Sequence, residues 1–136
     1  MLIAFRYSYS AYVKSLTNED FEKTIQNTDI VFVNFYADWC RFSQLLSPVF
    51  DEAASQFQNN TNVIFGSIDC DNQAEVAQKY QISKYPTLKL FRSGKLAKRE
   101  YRGQRTAGNL ADFVRSQMIE SINVSTDATS LAEKIN

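Results

Sequence analysis

The chain has 136 residues and a mass of 15.6 kDa, is 44% hydrophobic, 13% aromatic and 22% charged, and carries only 4 Gly and 2 Pro. This is the composition of one globular domain with enough apolar material for a core. Fifteen basic residues balance fifteen acidic ones, so net charge points to neither nucleic acid nor an anionic membrane as a partner, and no apolar run approaches the roughly 18 residues of a membrane-spanning helix. Histidine is absent, which excludes a Ser-His or Cys-His nucleophile pair and a His-bearing zinc site built from this chain alone. The two cysteines, Cys40 and Cys70, are too few for a disulfide scaffold or a structural zinc site.

Met1 to Ser10 lacks the charged start, apolar block and cleavage site of a signal peptide, so residues 1–11 read as a loose N-terminal segment. Tyr12 to Leu16 reads as a short strand. Thr17 and Asp20, as N-cap and third helical residue, introduce a first helix with Phe21 and Ile25 spaced i,i+4. Ile30 to Tyr36 is nearly continuous in apolar residues, as in a central strand buried on both faces. From Phe42 onward, Leu46, Val49, Phe50, Ala53 and Phe57 predict a long amphipathic helix kinked at Pro48.

Val63 to Ile68 repeats the buried-strand pattern, and Asn72 with Glu75 forms a capping-box start for a helix through Val76, Ala77 and Tyr80. Thr87 to Arg92 and Leu96 to Tyr101 read as a hairpin about Ser93 and Gly94. A last helix begins near Thr106, with Leu110, Phe113 and Val114 on its apolar face. The order βαβαβα, then a hairpin closed by a helix, predicts an α/β fold with a mixed sheet and helices on both faces. Residues 119–136 fall outside this unit and read as a linker or the start of a following domain.

Cys40 directly follows the central strand and opens the long helix, with Trp39 before it and Arg41 after it. Unpaired amides and the helix dipole stabilise an anion at such a place, lowering a thiol pKa, and Arg41 adds a positive charge. Position alone leaves the alternative that Cys40 is a small buried hydrophobe. Cys70 closes a strand, with 29 residues between it and Cys40, and reads as a buried structural thiol.

The string Ala37-Asp38-Trp39-Cys40-Arg41-Phe42-Ser43, with Pro48 in the helix and Tyr85-Pro86-Thr87 after the next one, is more specific. Residues 12–118 resemble the thioredoxin superfamily. Within them YADWC, IDCD, KYPTLKLF and YRGQRT resemble an a-type domain of the protein disulfide isomerase family. The resemblance implies a thioredoxin fold with a central mixed five-stranded sheet. It also implies that Cys40 is the attacking cysteine, that Pro86 is the active-site cis-proline beside it, and that Tyr85 presents its backbone to an extended client. Arg105 aligns with an arginine that modulates the cysteine pKa; read from the residues alone it is a solvent-exposed charge. Pro86, read the same way, merely starts a strand.

The departures from the family are informative. Ser43 stands where family oxidoreductases have their second cysteine, so the intramolecular attack that resolves a mixed disulfide is missing. Asn34 replaces the buried acid of similar enzymes. The C-R-F-S site is similar to that of a chaperone member of the family that retains clients through mixed disulfides. This implies a lumenal chaperone domain of the endoplasmic reticulum, partnered by client proteins with exposed cysteines and by oxidoreductases of the secretory pathway, with no cofactor and no metal. The alternatives are a monothiol, glutathione-dependent reductase, against which Arg41 stands where those sites carry proline or glycine, and a redox-silent interaction domain.

Two further features are chemical. Lys84, Lys89, Arg92, Lys95, Lys98, Arg99, Arg102 and Arg105 surround one acid, Glu100, and read first as a solvated edge that discourages sheet aggregation, then as a client-docking surface, and a distant third as a nucleic-acid surface, for which no aromatic platform or binding motif is present. The sequons Asn59-Asn60-Thr61 and Asn123-Val124-Ser125 are glycosylation sites only in a secretory compartment.

Overall fold

The computed structural model of the protein describes residues 11–119. The elements run β1 (Lys14–Ser15), α1 (Phe21–Gln26), β2 (Ile30–Tyr36), α2 (Arg41–Ser55), β3 (Val63–Asp69), α3 (Ala74–Lys79), β4 (Thr87–Arg92) and β5 (Lys95–Leu96). A last helix, α4, is described over residues 107–119. Except for Ala11 and Ile119, the expected loose segment 1–11 and the expected linker 119–136 lie outside the described residues, as does the sequon at Asn123.

The five strands form one sheet in the order β1-β3-β2-β4-β5. β3 lies parallel to β1 and to β2, while β4 is antiparallel to β2 and to β5. This is the thioredoxin fold, with its mixed five-stranded sheet and helices on both faces. The central position of β2 follows from its composition, because a strand with sheet neighbours on both sides and helices on both faces has no polar surface to offer water. The pleat divides its side chains. Ile30 and Phe32 join Leu46, Phe50, Leu90 and Leu110 under α2 and α4. Val31, Val33 and Phe35 join Phe21, Ile25, Val76 and Phe91 under α1 and α3. By the same alternation Asn34 belongs to the α2 face.

The structure corrects several local expectations. Thr17 and Asp20 do form a reciprocal pair, the Thr17 amide donating to Asp20 Oδ1 at 2.7 Å and the Asp20 amide to Thr17 Oγ1 at 3.3 Å. That pair closes a turn, and the helix begins after it, at Phe21. Asn72 and Glu75 form no capping box. The Asn72 amide and side chain instead donate to Asp69, at 3.3 and 2.8 Å, because Asp69 offers a carboxylate at the end of β3, and Gln73 is the N-cap of α3.

The first strand contracts to Lys14–Ser15 and the second hairpin strand to Lys95–Leu96. Both are edge strands with one neighbour each, so little holds their ends in register. α2 is the long amphipathic helix expected, 15 residues with Pro48 inside it and Leu46, Phe50 and Ala53 buried, while Phe42 near its start is 62% exposed. At the last helix Thr106 Oγ1 accepts from the Asn109 amide at 3.1 Å, capping α4 where the sequence predicts it to begin.

Candidate functional site

The crossover from β2 to α2 delivers Cys40 to the C-terminal end of the parallel strands, and the loop between them is pinned from several directions. The Cys40 amide donates to the Ala37 carbonyl at 3.0 Å, and the Ala37 amide donates to the buried Ser43 Oγ at 3.2 Å. Gln44 Nε2 donates to the Asp38 carbonyl at 2.8 Å. Cys40 itself is the N-cap of α2, in an extended conformation with φ −85° and ψ 123°. An N-cap side chain faces the free amides of the second and third helical residues, which here are Phe42 and Ser43.

That placement sets the electrostatics. The Cys40 thiol is held below the ordinary cysteine range, first by the backbone amide of Ser43, then by that of Phe42 and by the Ser43 hydroxyl, with the Arg105 charge adding to them. Arg105 also donates from Nη2 to the Pro86 carbonyl at 3.4 Å. Arg41, the first residue of α2, and Arg105 are both exposed. The Arg105 charge, distant in sequence and expected near the thiol from the family resemblance, is the one that adds to the lowering.

Opposite the thiol stands the loop before β4. The Tyr85-Pro86 peptide is cis, Pro86 is buried, and the Tyr85 carbonyl accepts a hydrogen bond from Cys40 Sγ at 3.4 Å. The Tyr85 ring meets the Trp39 indole edge to face, with centroids 5.6 Å apart at 76°. Cys40, Ser43, Trp39, Tyr85, Pro86 and Arg105 therefore converge on one end of the sheet, and Arg41 is exposed at the start of α2. Trp39, Phe42 and Leu45, beside Cys40 in the chain or within the first turns of α2, are 67%, 62% and 56% exposed.

Two features escape a reading of the sequence. Asp71 accepts from Trp39 Nε1 at 3.0 Å and holds the indole from the β3–α3 loop; the only signal was the IDCD string. Asn34 Oδ1 is buried with no hydrogen-bond partner. Its position on a buried strand was legible, but its unsatisfied state was not.

Cys70 is the converse of Cys40. Its side chain is buried on the α1/α3 face of the sheet, and burial, helped by Asp69 and Asp71, pushes its thiol up to about 12. Both cysteines are free. Among the described residues no cluster of His, Cys, Asp and Glu is arranged to hold a metal ion, and no helix is long and apolar enough to cross a membrane.

The Cys40 thiol is thus lowered by helix-terminal amides and lies against the Tyr85 carbonyl. The chain is similar to known proteins of this fold. The human endoplasmic reticulum resident protein 44 is 48% identical over 123 residues, an alignment covering 88% of this chain and 30% of that protein. The rice protein disulfide isomerase-like 2-1 is 34% identical over 119 residues, covering 88% of this chain and 32% of that protein. A crystal structure of human ERp44, form I, superposes with a TM-score of 0.76 at 49% identity, over 80% of this chain and 30% of that one. The chain thus spans about 30% of the length of these curated relatives. The thioredoxin family matches residues 12–116, and the chain belongs to that family, within the protein disulfide isomerase branch that includes endoplasmic reticulum resident protein 44.

Proposed function

We propose that this domain works in the endoplasmic reticulum lumen as a thiol-dependent chaperone, in which Cys40 forms reversible mixed disulfides with client proteins or with oxidoreductases of the secretory pathway. The observation that carries the reading is the pairing at the α2 N-terminus of a thiol held low by the Ser43 amide with a serine at the position where attack would release the client. The lumenal placement is supported by the names of the relatives.

The exchange is redox-neutral. Cys40 Sγ displaces one sulfur of a disulfide, a new S–S bond forms to the other, and the departing thiolate takes a proton from solvent. The Tyr85 carbonyl gives up the thiol hydrogen bond once the sulfur is ionised and becomes available to a client amide. The exposed Trp39, Phe42 and Leu45 suit a client cysteine with apolar neighbours, because burying such surface favours association. Release then needs a thiolate from outside, since the Ser43 hydroxyl is no nucleophile toward disulfides at neutral pH.

The test is a non-reducing gel of cells quenched with an alkylating agent. Wild type should carry a ladder of disulfide-linked complexes that collapses on reduction, and Cys40→Ser should carry none. A protein that reduces glutathione-linked substrates catalytically and accumulates no complexes is instead a monothiol reductase.

A further inference from the structure

The turn between α2 and β3 carries Asn59-Asn60-Thr61, a triplet with the amide, the non-proline middle residue and the hydroxyl that oligosaccharide transfer to asparagine requires. The Asn60 amide donates to the Phe57 carbonyl at 2.9 Å, leaving Gln58 and Asn59 at the tip of the turn. Its two ends are fastened in the core by Phe57 and Val63, 5% and 6% exposed, with Phe57 stacked on Phe65 at 5.3 Å. Between those anchors Gln58, Asn59, Thr61 and Asn62 are all exposed. The fold therefore holds the asparagine and its threonine outward while needing neither for packing.

We propose that Asn59 is an N-glycosylation site. In the transfer, Asn59 Nδ2 forms a bond to the anomeric carbon of the first sugar of a lipid-diphosphate-linked oligosaccharide. The bond from that carbon to the diphosphate oxygen breaks, the lipid diphosphate leaves, and Nδ2 gives up one proton, with no change of oxidation state. The proposal rests on the lumenal reading given above, because the donor is met only in that compartment.

Its position makes the modification compatible with thiol trapping. Cys40 caps one end of α2 and Asn59 lies three residues beyond Gln56, the cap of the other, so the helix separates them by about 22 Å. The parallel register says the same, since Ile30 and Val63 pair at the opposite end of β2 and β3 from Tyr36 and Asp69. A glycan at the turn stands away from Trp39 and Tyr85. Beside the turn lies a shallow depression lined by Tyr12, Lys14, Phe57 and Gln58, which offers the first sugar a surface to lie over.

The test uses the complete protein made in secretory cells and recovered in sealed microsomes. Asn123→Gln serves as background, so that the second sequon does not confuse the count. An endoglycosidase should then increase mobility by the equivalent of one glycan, and Asn59→Gln and Thr61→Ala should each remove that shift. Enzymatic release should leave an aspartate at position 59 of the recovered peptide, and the ladder of mixed-disulfide complexes should be unchanged in Asn59→Gln. Protease protection reads the compartment separately. A protected protein with no shift, or a shift that survives Asn59→Gln, overturns the site alone. A protein open to protease overturns the lumenal reading and the site together.

Discussion

Trp39 and Asp71 are joined across the approach to Cys40, the indole Nε1 donating to Asp71 Oδ2 at 3.0 Å. The same ring stands edge to face with Tyr85, whose carbonyl accepts from the Cys40 thiol. An exposed aromatic side chain is thereby held from two sides, by the β3–α3 loop and by the loop before β4.

Because the chain has a single tryptophan, this relationship can be read directly. Asp71→Ala should raise acrylamide quenching of Trp39 and lower its anisotropy, at a cost in global stability of about 1 kcal/mol or less for an exposed hydrogen bond. Asp71→Asn keeps an acceptor oxygen and should stay near wild type. Unchanged fluorescence in Asp71→Ala would mean that the tyrosine packing alone holds the indole.

The alkylation profile should distinguish the cysteines. Thiolate fraction sets the rate, so Cys40, held low chiefly by the Ser43 amide, should react first, and Cys70, pushed up to about 12 by burial, should stay unmodified in the native protein. Ser43→Ala removes a hydroxyl but keeps the amide, and Arg105→Gln removes a charge. Each stabilises the thiolate less, so the Cys40 pKa rises and the pH–rate profile moves upward, slowing alkylation a few-fold at neutral pH. Faster modification of Cys70 than of Cys40 would refute the assignment.

Ser43→Cys should convert trapping into turnover. The new thiol sits three residues after Cys40, at a position whose side chain is buried and already next to the active-site loop through the Ala37 amide. Complex lifetimes should fall and insulin reduction should appear. Adding Asn34→Asp should raise the rate further by supplying a proton acceptor on the face of β2 toward α2. Insulin assays and non-reducing gels of wild type and the single and double variants decide this; wild-type turnover equal to that of Ser43→Cys defeats the trapping mechanism.

Asn34 also makes a stability prediction. Its buried Oδ1 lacks a partner, and an unsatisfied buried polar atom costs about 1–3 kcal/mol. Asn34→Val should therefore match or exceed wild type by about 1 kcal/mol in urea denaturation, helped by its preference for strands. Asn34→Asp should behave oppositely. A buried carboxyl has its folded-state pKa raised above the unfolded value, so the variant is least penalised at low pH and loses stability as pH rises between the two. A loss in Asn34→Val would show that the carboxamide contributes interactions that outweigh its unsatisfied oxygen.

Much of the architecture was legible in the residues because it follows from burial. Ile30 to Tyr36 can only be a strand covered on both faces, and the spacing of Leu46, Phe50 and Ala53 can only be a helix with one face inward; these elements appear with bounds close to those predicted. The placement of Cys40 after the first and before the second followed from chain order, and with it the helix-terminal setting of the thiol. What the residues left open was decided by long-range contacts. Position along the chain offered Arg41 and the family resemblance offered Arg105, and chain closure brings Arg105 to the Pro86 carbonyl and the sulfur beside it. Asp71 became the partner of Trp39 because the parallel pairing of β2 and β3 sets their C-terminal ends side by side. Asn72 looked like a cap until Asp69 competed for it. In each case several partners are equivalent along the sequence, and only the packed sheet determines which lies within hydrogen-bonding distance.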